Sequence, residues 1–221
     1  MQLSIPKSNL KNYVYSLLRI HFPDGNNNNI CDSIFDHALD RLEHCFKHIN
    51  KKYYIENGNP IFNHLHSDHF SSFLWFLGNS SYLEFGNNIL ATKLSYLNKI
   101  MHGIDLYHTV NLPDIFLLVH PVGSVIGNAR FQDYLVIYQN VTIGATTNVY
   151  PQLGHGVALF SRSSIIGDCT IGNNVIFGAN SFIINTNITD DKCVVGSFPD
   201  IRIYPARTNI VSDYFNDGTL S

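Results

Sequence analysis

Along the C-terminal third of the chain, apolar residues recur at every sixth position: Leu153, Leu159, Ile165, Ile171, Phe177 and Ile183. Four residues after each stands a small or narrow residue: Val157, Ser163, Cys169, Val175, Ser181 and Asn187. Glycine follows the apolar position directly at Gly154, Gly172 and Gly178. A period of six fits neither a helix at about 3.6 nor a flat strand at about 2. It fits a triangular coil whose three short faces each take one hexad, with the apolar residue pointing into the prism. Hexapeptide repeats of this kind mark a parallel β-helix. Earlier hexads run through Val125-Ile126-Gly127-Asn128-Ala129-Arg130, and Ile137 and Ile143-Gly144 continue the step of six. Between Ile143 and Leu153 the frame slips by four residues, through Ala145 to Pro151. An insertion cannot stay in the wall of a coil, so this segment is predicted to protrude as a loop. Beyond Asp190 the pattern decays into Val194–Pro199, a predicted last coil, with a polar tail after it.

The first hundred residues carry a different pattern. Cys31–Tyr54 sets Ile34, Phe35, Ala38, Leu39, Leu42, Cys45, Phe46 and Ile49 on one helical face, with acids early and lysines late. The Asn26–Asn29 run before it reads as a polar loop. A second helix is predicted to start at Ser67-Asp68, which can cap it, and to run through Phe73–Leu77 to Gly78. A third covers Asn88–Met101 and stops at Gly103. From Asp105 onward, short Val/Ile runs, Gly and Asn replace helical periodicity, and both Asn and Gly suit tight left-handed corners. The expected architecture is α+β: an α-helical N-terminal domain over residues 1–103, a β-helix over 104–204 and a tail over 205–221, without a flexible linker.

Composition narrows the function classes. With 45% hydrophobic and 14% charged residues the chain can bury a sizeable core. A formal net charge of −3 supplies no basic field for nucleic acid or anionic membrane. No segment reaches the roughly eighteen apolar residues of a membrane span, and the N-terminus lacks a secretory pattern. Cys31, Cys45, Cys169 and Cys193 show no paired spacing and read as free thiols in a reducing cytoplasm, which sets the expected location.

The most suggestive chemistry lies at His120, in Phe116-Leu117-Leu118-Val119-His120-Pro121 before the first good hexad. Asp105, fifteen residues upstream, is close to one coil away, so the two can share a corner on neighbouring coils. A carboxylate holding one imidazole nitrogen leaves the other free to take a proton from a hydroxyl or amine. Asp105, Val119-His120-Pro121-Val122-Gly123, Val125-Ile126-Gly127, Val136–Gly144, Tyr150-Pro151 and Val194–Pro199 together resemble the catalytic domain of the serine acetyltransferase-like group of hexapeptide acyltransferases. That resemblance covers residues 104–204 in detail. It implies a left-handed parallel β-helix assembled as a homotrimer, or a hexamer through the helical domain, with acetyl-CoA between adjacent coils of two subunits. It makes His120 the general base and Asp105 its orienting partner. Gly144, Ala145, Ser161 and Ala179 match positions whose backbone contacts the pantetheine arm. A backbone amide near Gly144-Ala145 is a candidate for holding the reaction's oxyanion. Arg202 or Arg207 is a candidate for the CoA phosphates, or else a solvated tail charge.

Departures from the family pattern bear on the acceptor. Serine acetyltransferases carry Asp before the catalytic histidine, where this chain has Val119. Their protruding segment reads Arg-His-Pro, where this one reads Val149-Tyr150-Pro151. Val119 and Val149-Tyr150 therefore replace charges that a zwitterion needs, and Tyr150 offers a flat face and one hydroxyl that suit a sugar ring; Val119 and Tyr150 are the expected acceptor-binding residues. The expected reaction is acetyl transfer to a hydroxyl of a sugar or surface-polysaccharide precursor. The alternatives are serine O-acetylation and N-acetylation of an amino sugar. No cysteine falls near His120 in the pattern, which favours direct transfer over an acetyl-cysteine route. A noncatalytic scaffold is the rival from another class. The tail Asn216–Ser221 lacks the terminal isoleucine through which serine acetyltransferases bind a partner, which argues against that partnership.

A second motif competes. His64-Leu65-His66-Ser67-Asp68-His69 spells HxHxDH, a metal signature of metallo-β-lactamase-like hydrolases. It runs into an apolar helix instead of following a strand, so no metal is expected there and a Ser-Asp helix cap is the reading adopted.

Overall fold

In the computed structural model, which describes residues 1–26, 29–86 and 88–216, the hexads close a three-sided prism. One face stacks, in order, strands Phe116–Leu118, Leu135–Ile137, Ala158–Leu159, Ile176–Phe177 and Lys192–Val195. A second stacks Asp105–Leu106, Val125–Ile126, Thr142–Gly144, Ser164–Ile166 and Phe182–Ile184, and a third Arg130–Phe131, Gln152–Leu153 and Thr170–Ile171. All of these pair in parallel. Leu159 lies against Phe177 and Ile165 against Ile183, so one regular coil spends three hexads.

The six apolar hexad residues are at most 3% exposed, and Val157, Ser163, Cys169, Val175 and Ser181 are buried beside them. Asn187 breaks the series. It is exposed, its Oδ1 accepts the Thr170 N–H at 2.8 Å, and Ile188 takes the inward place instead. The glycines after the apolar residues admit the next coil: a Cβ on Gly154 would stand 2.7 Å from the Gly172 carbonyl oxygen. Asn140, Asn174, Asn180 and Asn185 turn corners at φ of 56°, 51°, 61° and 47°, the left-handed conformation that Asn tolerates.

The frame slip between Ile143 and Leu153 protrudes. Thr146 and Val149 exchange backbone hydrogen bonds around Thr147 and Asn148, both at positive φ, making a two-residue hairpin off the wall. Register absorbs it: Leu159 pairs with Ile137 below, four residues further away in sequence than Phe177 above.

The N-terminal part contains α1 (Lys7–His21), α2 (Asp32–Lys47), α3 (Ser67–Phe85) and α4 (Ile89–His102). Helix α1, not singled out in the sequence, buries Leu10, Val14 and Leu18. Helix α2 stops at Lys47 instead of reaching Tyr54, because Ile49 leaves the axis to bridge Phe215. Helix α3 runs past Gly78 to Phe85 and is buried from Asp68 through Ser81, the mark of a helix surrounded on all sides. Helix α4 matches its prediction: the Asn88 side chain accepts the Ala91 N–H, and Gly103 closes it in the left-handed conformation. A small sheet, Gln2–Leu3, Asn59–Phe62 and Ile55–Glu56, interrupts the expected all-helical region.

One continuous hydrophobic core joins the helices to the first coils, with Trp75 and Phe76 packed on Phe116. The expected polar tail is not free. Arg202–Pro205 returns antiparallel to Lys192–Val195, α5 (Ile210–Tyr214) follows, and Phe215 is buried against the helical part. The tail residues 217–221, and Asn27 and Asn28 of the polar run, lie outside the described residues. No helix among the described residues is long and apolar enough to cross a membrane.

Truncating the fully buried Phe177 to alanine should cost about 3–5 kcal/mol, from lost burial plus the cavity left in a stacked column. Urea unfolding followed by circular dichroism reads this as a lowered midpoint.

Candidate active site

His120 stands at the corner between strands Phe116–Leu118 and Val125–Ile126. Its φ is +47°, in the sparsely populated left-handed region. Three backbone bonds tie the corner down: Val119 N–H to Ile137 O, Val122 N–H to His120 O, and Gly123 N–H to Gly103 O. The fourth tie is a side chain. Asp68 Oδ2 accepts the His120 backbone N–H at 3.1 Å and lies 3.7 Å from its Nδ1. The Asp68 side chain is only 6% exposed, whereas that of His120 is 76% exposed.

A buried carboxylate needs compensation. Asp68 sits in the first turn of α3, where the helix dipole favours negative charge, and its Oδ1 accepts from Ser67 Oγ at 3.2 Å. His120 thus marks the lip of a cavity of about 360 Å³ between the helical part and the coil. Leu117, Leu118, Val119 and Tyr138 line one side and Lys51–Tyr54 and His66 the other. Tyr214, from α5, closes the end; its hydroxyl lies 3.0 Å from that of Tyr138. Lys51 Nζ donates to the Asp213 carbonyl and sits over the Tyr214 ring. No cysteine lines this cavity.

Behind the wall, His66 stacks on His69 with ring centroids 4.2 Å apart. The His69 Nδ1 accepts the Asn63 N–H, and burial pushes its pKa down to about 3. Burial likewise lowers His102 to about 4, against the opposing pull of the Asp68 charge. Tyr54 is held well above the usual phenol range by burial first and by the Asp68 charge second.

The expected site residues divide into groups. Asp105 does occupy the strand beside the His120 corner, pairing with Val125, but its carboxylate is bound to Lys99 Nζ at 2.6 Å. Val119 is half-buried and lines the cavity. Ser161 and Ala179 lie in the corner column above His120, where the Asn180 N–H donates to Ser161 O. Gly144 and Ala145 lie at the opposite edge of the second face, where the hairpin leaves it. Tyr150 is exposed in a separate cleft with Asn128, Arg130 and Gln152. Arg202 is exposed on the antiparallel strand beside Val195, and Arg207 lines a cleft with Cys193 and Tyr204.

The HxHxDH residues scatter. His64 Nδ1 pairs with Ser4 Oγ, His66 and His69 stack, and Asp68 turns to His120. Among the described residues, no group of three or more His, Cys, Asp or Glu could hold a metal ion. Asp68, read from the sequence as a helix cap, is the site residue that sequence reasoning missed. The absence of an acid at Val119 was the signal that a carboxylate had to come from elsewhere.

Comparison with solved structures places the fold. A serine acetyltransferase in complex with cysteine superposes with a TM-score of 0.63 over 91% of this chain and 75% of its own, at 16% identity. The serine acetyltransferase of Neisseria gonorrhoeae gives 0.62 over 89% and 74%, at 20% identity. The fold is that of the serine acetyltransferases. Sequence similarity agrees: the serine acetyltransferase of Synechococcus elongatus is 31% identical over 127 residues, 55% of this chain and 51% of the relative. That of Staphylococcus xylosus is 31% identical over 113 residues, 49% and 52%. The chain spans about half the length of these curated relatives. No protein-family model matches it.

The buried histidines near this cavity set a pH dependence. An unfolded histidine binds a proton near pH 6.5, whereas folded His69 does so only at about 3. Between those values the unfolded state holds more protons, so stability is full above pH 6.5 and falls as the pH drops. Urea midpoints should decline between about pH 6.5 and 5, before most carboxylates titrate. His69→Gln, which keeps an acceptor for Asn63, should flatten part of that decline.

Proposed function

We propose that the chain is an acetyl-CoA-dependent O-acetyltransferase in which His120 is the general base. The observation that carries this reading is the pairing of an exposed imidazole on a fixed left-handed corner with a buried carboxylate, at the mouth of a cavity. The fold and sequence likeness to serine acetyltransferases supports it, one of the similar structures being described in complex with CoA. Those likenesses favour L-serine as the acceptor over the sugar hydroxyl expected from Val119 and Tyr150. A sugar remains the second reading on one observation: the 360 Å³ cavity beside His120 is lined by four tyrosines and three apolar residues together with Lys51, Lys52 and His66, and among the described lining residues Asp68 is the one carboxylate to meet an ammonium.

In the proposed reaction His120 removes the acceptor hydroxyl proton as that oxygen bonds to the thioester carbonyl carbon. The C–S bond then breaks, and the imidazolium returns the proton to the departing thiolate. General base catalysis contributes about 10²–10⁴-fold, and holding both substrates in place supplies much of the remainder. Ser161 and Ala179 are small residues in the corner column above His120, which suits the pantetheine arm. Gly144-Ala145 sits across the same face, and an arginine at 202 or 207 is available for the phosphates. The groove between subunits of a homotrimer is the proposed place of that arm, and it would bring the Tyr150 hairpin of one subunit toward the site of another. Asp105, bound to Lys99 on the surface, sits within reach of the same corner; such exposed pairs are worth about 0–1 kcal/mol.

His120→Ala should reduce acetyl transfer to below about a tenth of wild type, the least expected from losing a general base. CoA affinity by calorimetry should change by less than about threefold. Activity retained above that tenth would remove His120 from the role of base.

A further inference from the structure

We infer that Asp68 is the positioning residue of His120, fixing its tautomer and its backbone at once, in place of the carboxylates expected at Asp105 and at position 119. The inference rests on His120 being the base. Asp105 is engaged by Lys99 at 2.6 Å, and Val119 offers no acid. Among the described residues Asp68 is the carboxylate within ion-pair distance of the imidazole.

The arrangement divides labour between two lone pairs of one oxygen. Oδ2 accepts the His120 backbone N–H at 3.1 Å, which stabilises the left-handed corner. The same oxygen faces Nδ1 at 3.7 Å, longer than a hydrogen bond but within one small rotation of an exposed ring. Catalytic hydrogen bonds are often long without substrate and tighten when it binds. Once formed, the bond places the proton on Nδ1 and leaves Nε2 free to accept from the acceptor hydroxyl. Asp68 sits in the first turn of α3, and Ser67 Oγ donates to its other oxygen. The remaining charged or titratable groups facing the cavity are Lys51, Lys52, His66 and four tyrosines (Tyr53, Tyr54, Tyr138 and Tyr214), with no further carboxylate among the described lining residues. A buried carboxylate behind an exposed imidazole is how a base is held in one orientation, and removing its charge leaves the ring in the wrong tautomer.

Long-range ¹⁵N correlation spectra of the apo protein test this directly, at about pH 8, where an ordinary imidazole is neutral. Wild-type His120 is expected as the Nδ1–H tautomer. Asp68→Asn, nearly isosteric and still able to accept the backbone N–H, is expected to shift it toward Nε2–H, whereas Asp105→Asn leaves it unchanged. In steady-state assays Asp68→Asn should lower kcat by about 10²-fold or more while KM for acetyl-CoA moves by less than about twofold. An Nε2–H tautomer in wild type, an unchanged tautomer in Asp68→Asn, or a shift produced by Asp105→Asn would each overturn the inference. The spectra need no turnover, so a wild type that transfers no acetyl group would defeat the proposed function while the tautomer still decided the role of Asp68.

Discussion

A coil of three hexads must turn a corner about every six residues, and most corners here place a residue in a left-handed backbone. Nearly everything distinctive in this chain answers that demand. Asn140, Asn174, Asn180 and Asn185 meet it at low cost because their short polar side chains tolerate the conformation. His120 meets it at a greater cost, and the chain offsets that cost with a buried carboxylate brought from 52 residues away. Tyr134, Arg162 and Asp191 meet the same demand elsewhere, but His120 is the left-handed corner that a buried carboxylate ties and that projects an imidazole into solvent.

The helical part then has a specific task. Trp75 and Phe76 lock α3 against Phe116, at the start of the strand that leads into His120. Cys45 of α2 donates to the Phe116 carbonyl from a fully buried position, and burial pushes its thiol up to about 12, so it serves as a weak donor in the core. With α3 fixed along its buried length, its N-terminus can hold Asp68 against the corner. The C-terminal segment completes the enclosure from the other side, where Tyr214 meets Tyr138 and Phe215 packs on the helical part.

The period-six spacing made the prism legible because every inward position must be apolar whatever else the sequence does. The four-residue slip made the hairpin legible for the same reason, since surplus residues have nowhere to go but outward. Helix α4 was readable from its Asn cap and its terminal glycine. Helix α3 was read too short because Gly78 suggested an end; there the glycine keeps helical geometry in mid-helix, beside Leu94 and His108. The small sheet carried a signal that went unused, Asn57-Gly58 between short strands, both at positive φ as such a hairpin requires. At the site, His120 was legible from its setting, whereas Asp68 was hidden inside a metal-like motif. Spacing could suggest that Asp105 lies near the corner, but not that Lys99 would hold its carboxylate.

The central claim is that this corner transfers an acetyl group to a hydroxyl, and the most direct measurement follows free thiol released from acetyl-CoA. L-serine would be offered beside free and nucleotide-linked sugars. The account predicts acceptor-dependent release, greatest with L-serine; a sugar in that place would keep the chemistry and change the acceptor. No release with any hydroxyl acceptor, from folded protein, would contradict it.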